Sequence, residues 1–209
     1  MNLEQYTADA VCRAMGIPRF ADTTDLRNDD AAMRIVLRPS FTPEVCLTLT
    51  GCTATVSTLY EMLWHQPFPC TLPAVQQSFP ITADQQSSFA RSLRHAVQEI
   101  RNDERMVIIC DGMSFDAAWY NGGSIDQVST HVTGQHVEHF ISSLIQFAFA
   151  GANLDLIRNN LANCGRYVGL DLPIQKTMFD TSQKMNIGVF GRPNDRDDLM
   201  RRISTHRDA

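Results

Sequence analysis

The sequence predicts an α+β domain in which an antiparallel sheet of about five strands carries helices on one face. Two observations support this fold class. Stretches with the helical period of apolar residues alternate along the chain with shorter stretches of period two. The period-two stretches are joined by tight-turn sequences, which favour antiparallel neighbours. The predicted order of elements is α-βββ-α-ββ-αα.

The first part of the chain is predicted to hold one helix and three strands. Residues 3–15 place apolar side chains on one face, with Asn2 as the cap and Gly16 as the stop. Alternation then predicts three strands, of which the last two join through a tight turn: residues 33–38, 44–50 and 53–60. Residues 64–80 contain four prolines, and because proline cannot donate to a sheet ladder they predict an irregular crossing.

The middle of the chain is predicted to hold a long helix and a hairpin. Residues 81–101 form the clearest helix, because Thr82 and Gln85 have capping-box spacing ahead of one apolar face. MVIIC, residues 106–110, is typical of a buried strand. Asp111-Gly112 is a strong two-residue turn signal, and residues 113–120 alternate again. We therefore expect a β-hairpin that ends at Asn121-Gly122-Gly123.

Two further helices complete the predicted domain. Residues 135–151 carry a wide apolar stripe, and residues 153–165 carry a narrower one with Asn153 as the cap. We predict one domain over residues 1–175. Residues 176–209 are predicted to be a C-terminal extension or tail.

Composition argues against several classes of function. The chain has 18 basic and 23 acidic residues, a net charge of -5, so a nucleic-acid partner is not expected. It has no run of eighteen apolar residues and no cationic, apolar leader, so we expect a cytoplasmic protein without a membrane partner. Six cysteines form no C-x-x-C pair and are predicted to be free, mostly buried thiols. No nucleotide-binding loop is present, and no cofactor is predicted.

The only candidate metal ligands are three histidines that lie within nine residues of one another: His131, His136 and His139. His136 and His139 are three residues apart, a spacing that can bring two imidazoles to one ion on a helix. The segment is not H-E-x-x-H, however, and no distant carboxylate partner is marked. We predict no metal site, and we interpret the pair as polar residues in the first turn of an amphipathic helix.

A hydrolase is an alternative reading of the hairpin. Ser114 and Asp116, or Cys110, would have to meet a histidine of the group at 131, 136 and 139. Nucleophilic serines usually sit on strained turns beside backbone donors, whereas Ser114 falls within a predicted strand. Cys110 ends an apolar strand, where burial would raise its pKa and reduce its reactivity. We therefore assign no catalytic residue from the sequence.

Aromatic residues near strand ends favour protein recognition instead. Such side chains give a large contact area at a low cost in conformational entropy. The predicted partner-binding residues are Tyr60, Trp64, Phe68, Asp116, Tyr120 and Asn121.

The segments LRPSFTPEVCLTL and DGMSFDAAWYNGG, followed by a helix near His136, resemble small uncharacterised bacterial α+β proteins. The resemblance covers about residues 33–150. Some such proteins are immunity partners of secreted toxins. It implies a cytosolic antitoxin that neutralises a bacterial toxin by occluding it, and the acidic net charge suits a basic toxin. The alternatives are the hydrolase or metal-dependent enzyme described above, and an adaptor or chaperone of a secretion system.

Overall fold

The computed structural model describes residues 6–22, 26, 31–67, 70–102, 112–121 and 123–175. Within these ranges four α-helices, one short 3-10 helix and six strands follow one another. Their order and bounds are α1 (Ala8–Ala14), β1 (Met33–Pro39), β2 (Val45–Thr50), β3 (Thr53–Leu59), a 3-10 helix (Leu63–His65), β4 (Ala74–Pro80), α2 (Ala83–Asn102), β5 (Met113–Asn121), β6 (Ser124–His131), α3 (Gln135–Gly151) and α4 (Asp155–Arg166). The predicted α+β class is confirmed.

The strands form one antiparallel sheet in the order β4-β3-β2-β1-β5-β6. Strand β1 is central and joins two sets of neighbours. On one side lie β2, β3 and β4, which follow it in the chain. On the other side lies the β5–β6 pair, which comes after α2. The sheet has six strands where the sequence predicted about five.

The two faces of the sheet are covered differently. Alternate residues of the strands, among them Ile35, Leu47 and Phe115, point into a core formed with α2, α3 and α4. The opposite residues, among them Val36 and Cys46, pack with α1 in a second, smaller core. Three helices therefore share one face as predicted, whereas α1 covers part of the other face because its own side is rich in buried alanine, valine and cysteine.

Local signals explain several helix boundaries. Gln85 N donates to Thr82 Oγ1 at 3.1 Å and Thr82 N donates to Gln85 Oε1 at 3.0 Å, which confirms the predicted capping box of α2. Helix α1 begins later than predicted, because Thr7 is its cap and accepts from Ala10 N at 3.2 Å. The predicted cap Asn2 lies outside the described residues.

The crossing predicted at 64–80 is wrong in its second half, which forms strand β4. Proline does not prevent this strand, because Pro80 is at its end and β4 is an edge of the sheet as far as the described residues extend. An edge strand needs donors on one side only, so a proline whose missing N–H faces outwards costs no ladder bond.

The partner predicted for the strand at residues 113–120 is also wrong. Strand β5 pairs with β1 on one edge and with β6 on the other, where Asn121 is opposite Ser124. Both edges of β5 are therefore occupied by strands other than the predicted partner at residues 106–110. The predicted strand at 106–110 and Asp111 lie outside the described residues. The predicted alternation within β5 is confirmed, with Phe115 and Trp119 in the larger core and Asp116 on the other face.

Two further findings concern the chain as a whole. No helix among the described residues has both the length and the apolar character needed to cross a membrane. The predicted C-terminal extension, residues 176–209, lies outside the described residues.

Candidate partner-binding site

The most exposed large apolar side chains among the described residues lie at one end of the sheet. Phe41 follows β1 and is 66% exposed, and Tyr60 follows β3 and is 50% exposed. Because β1 and β3 are both antiparallel to β2, they run in the same direction and end at the same side of the sheet. Trp64, in the 3-10 helix, belongs to this same connection after β3. We call Phe41, Tyr60 and Trp64 the aromatic end.

The other predicted contact residues do not join this surface. Strand β5 runs antiparallel to β1, so Tyr120 and Asn121 lie at the opposite end of the sheet. There Tyr120 N donates to Ala32 O at 3.2 Å, the distance of an ordinary ladder bond. Several residues of β5, each adding roughly 3.4 Å, separate the two ends. Phe68 lies outside the described residues. The predicted set is thus divided between two ends of the molecule.

Asp116 is a buried framework residue. It is 4% exposed and holds Arg38 in a two-point ion pair, with Nε to Oδ2 at 2.7 Å and Nη2 to Oδ1 at 3.1 Å. Arg38 also donates to Tyr6 O at 2.7 Å and places its guanidinium 5.1 Å from the centre of the Tyr6 ring. Asp116 therefore contributes to the stability of the fold and is too deeply buried to belong to the partner-binding surface.

A buried carboxylate continues this network towards the aromatic end. Tyr6 Oη donates to Glu44 Oε1 at 2.6 Å, and Leu63 N lies 3.1 and 3.0 Å from the two Glu44 oxygens. Glu44 is fully buried, and burial raises the pKa of its carboxyl group even though these hydrogen bonds oppose the shift. Burial also raises the pKa of Tyr6, with Glu44 as the next cause. We call Tyr6, Arg38, Glu44 and Asp116 the buried polar network.

The buried polar network fixes the backbone that carries Tyr60 and Trp64. Glu44 holds Leu63, the residue before Trp64, and the Tyr6 ring meets the Trp64 ring edge-on at 5.2 Å between centroids. On the other side of the connection, Asn160 of α4 donates to Leu59 O at 3.1 Å, directly before Tyr60. Contacts from three separate parts of the chain, at Tyr6, Glu44 and Asn160, therefore hold this segment in one conformation.

The sequence pattern alone did not identify this network. Tyr6 and Glu44 are 38 residues apart in the chain, and Arg38 and Asp116 are 78 residues apart. One residue of the network gave a signal in the sequence. Arg38 alternates with apolar residues in the strand β1, and this alternation assigns its side chain to one face of the sheet. Glu44 gave no such signal, since it precedes its strand as an ordinary polar residue would.

The structure brings one predicted catalytic pair together. Ser114 and His131 are directly opposite each other on β5 and β6, and Ser114 Oγ lies 3.4 Å from His131 Nδ1. Both side chains are half-buried. Asp116 does not complete a triad, because both its oxygens are bound to Arg38. Cys110 lies outside the described residues.

The three candidate metal ligands are not assembled. His131 contacts Ser114, whereas the ring of His136 lies 6.1 Å from that of His95 on α2. Glu99 Oε2 accepts from His136 N and Val137 N and so caps α3. His139 is exposed on the first turns of α3. Among the described residues no group of three or more histidine, cysteine or acidic side chains could hold a metal ion.

Comparison with other proteins adds no assignment. The chain matches no protein-family model, no curated protein and no solved structure.

Proposed function

We propose that this protein binds another protein through the aromatic end and acts as an immunity protein that occludes a toxin. The observation that carries the proposal is the exposure of Phe41 and Tyr60 at the same end of the sheet, with Trp64 in the same connection as Tyr60. Isolated exposed apolar residues are common on protein surfaces, but a cluster of aromatic residues is the usual composition of a binding hot spot.

Rigidity of the aromatic end supports the same proposal. A segment that is already ordered loses less conformational entropy when it binds. Glu44, Tyr6 and Asn160 order the connection that carries Tyr60 and Trp64 without using the exposed ring of Tyr60. The buried ionisable groups therefore serve to present the aromatic side chains.

Charge indicates the type of partner. The chain has a net charge of -5, and Glu61 beside Tyr60 is exposed. Complementary charge increases the rate of association and helps to select the partner. A basic toxin is the partner that fits these features.

Affinity purification from the native cells tests this proposal. The tagged chain is compared with a Phe41→Ala/Tyr60→Ala variant and with a Leu154→Ala/Ile174→Ala control, which removes two other exposed apolar side chains of the described residues. We expect the control to retain the partner. The first variant should bind the purified partner at least about tenfold more weakly.

Growth assays then distinguish an immunity protein from an adaptor. The partner expressed alone should stop growth, and co-expression of the chain should restore it. A partner that is harmless alone would favour the secretion-system adaptor or chaperone. Equal loss of binding in both variants would refute the aromatic end as the binding surface.

The contact between Ser114 and His131 favours hydrolysis as a second candidate function. Imidazole within reach of a serine hydroxyl is the core of a nucleophilic device, although no third group orients this histidine among the described contacts. A fluorophosphonate probe tests it directly. Labelling of the wild type that is lost in both Ser114→Ala and His131→Ala would establish a reactive serine, and absence of labelling would remove this candidate.

A further inference from the structure

The two edge strands of the sheet, as described, differ in how they are protected. Strand β4 follows Pro73 and ends with Pro80, and proline is a common protection of an exposed edge. Strand β6, Ser124–His131, contains no proline, lysine or glycine. Within the described residues no strand lies beside its outer edge. Such an edge is a template for pairing with another strand.

The register identifies which backbone groups of β6 face outwards. Val132 N donates to Met113 O at 2.9 Å, so these two residues form a hydrogen-bonded pair that continues the β5–β6 ladder. Hydrogen-bonded and non-bonded pairs alternate along an antiparallel ladder. The even-numbered residues of β6 therefore bond to β5. The odd-numbered residues direct their N–H and C=O groups away from it, and these are Ile125, Gln127, Ser129 and His131.

This outer edge is complementary to itself. In an antiparallel pairing centred on Val128, Ile125 faces His131 of a second copy and Gln127 faces Ser129 of that copy. Every outward-facing residue then forms a hydrogen-bonded pair. The two Val128 side chains face each other on the α2–α4 side of the sheet, and such apolar cross-strand pairs are stabilising. Asp126 faces Thr130 of the second copy, so no like charges are opposed.

We propose that two copies of this chain associate through β6 and form a continuous twelve-stranded sheet around a two-fold axis at Val128. The pairing is isologous and closed, because each copy contributes the same strand and no further copy can be added through this edge. A single pair of strands buries less area than an obligate interface. The dimer is therefore reversible and depends on concentration.

Analytical ultracentrifugation of the full chain over a range of concentrations tests this dimer. Ser129→Pro removes an outward N–H without affecting the ladder to β5, and it should raise the dimer Kd at least about tenfold. Ser78→Pro is the matched control on β4. Ile81 N donates to Cys52 O at 3.1 Å, so the same alternation directs the backbone N–H of Ser78 away from β3. The Ser78→Pro variant should therefore dimerise as the wild type does.

Cysteine cross-linking tests the register. In a Cys52→Ser background, which removes an exposed thiol, Val128→Cys should form a disulfide-linked dimer under copper phenanthroline and air, and Asp126→Cys should not. A monomeric wild type at every soluble concentration would overturn the proposal. So would a dimer that Ser78→Pro weakens and Ser129→Pro does not, or cross-linking of Asp126→Cys instead of Val128→Cys.

Discussion

Arg38 reaches diagonally from β1 to Asp116 on β5 and binds both carboxylate oxygens, at 2.7 and 3.1 Å. The two side chains are 12% and 5% exposed. Removing one member of a buried pair leaves the other charge without compensation in a poorly hydrated site. The pair therefore contributes to stability mainly through the cost of breaking it.

Asp116→Ala should lower the free energy of unfolding by about 3 kcal/mol, because Arg38 keeps its charge and loses its carboxylate. Urea denaturation measures the change. Arg13→Ala is the control, since it removes an ion pair at 3.7 Å whose side chains are 55% and 44% exposed, and should cost less than about 1 kcal/mol. Equal effects of the two substitutions would contradict this assignment.

Glu44→Gln should change how stability depends on pH. The pKa of Glu44 is raised in the folded protein, so the folded state holds this proton more tightly than the unfolded state does. The stabilisation from the protonated form is complete below the ordinary pKa of about 4.5 and is lost as pH rises through the folded value. Glutamine cannot ionise, so the stability of the variant relative to the wild type should increase as pH rises from about 4.5 to the folded pKa and should stay constant above it.

Urea titrations at several pH values check the prediction for Glu44. Each unit by which the folded pKa is raised adds about 1.4 kcal/mol to the change in relative stability. Glu61→Gln is a suitable control, because Glu61 is exposed. A difference between Glu44→Gln and the wild type that stays constant over the whole pH range would contradict the burial argument.

Gly151→Ala should be destabilising, because a Cβ atom at this position would overlap two carbons of the Phe79 ring. The ring of Phe79 also packs against Phe147, at 5.6 Å between centroids, so it cannot move away freely. We expect a loss of about 1–3 kcal/mol in thermal or urea unfolding. The loss should be smaller when Gly151→Ala is made in a Phe79→Ala background, where the clash is absent.

Phe41→Ala and Tyr60→Ala should change the free energy of unfolding by less than about 0.5 kcal/mol each, since both side chains are half or more exposed. Thermal unfolding of the two single variants measures this. Leu63→Ala, which truncates a fully buried side chain in the same connection, should cost about 2–5 kcal/mol. A large effect of Phe41→Ala would place its ring in the fold and not in a binding surface.

Local pattern predicted the elements that depend on local chemistry. The capping box at Thr82 and Gln85 and the alternation along β5 were both confirmed, because each depends on residues close in the chain. The hairpin partner of β5 was predicted before it in the chain and is found after it, because the sequences Asp111-Gly112 and Gly122-Gly123 both favour a tight turn. Only the pairing of β5 with β1 and β6 distinguishes the two.

The candidate site was less predictable than the fold. Tyr60 and Trp64 were identified from their aromatic character, but Phe41 was missed, because nothing in a short loop marks a side chain as exposed. Asp116 was assigned to a surface although it is buried, since its partner Arg38 lies 78 residues away in the chain. Long-range pairing decides such cases, and a single sequence carries little information about it.

The order of the strands also has a consequence for the rate of folding. Strands β1 to β4 are neighbours in sequence order, and β5 and β6 form a hairpin, so most ladders close short loops. The β1–β5 ladder is the exception, because it closes a loop that contains β2, β3, β4 and α2. Loop closure of this length costs chain entropy before its contacts form, and non-local pairing slows folding. The two parts of the sheet can thus form first and separately, and the step that joins them along β1 and β5 sets the time that the chain needs to fold.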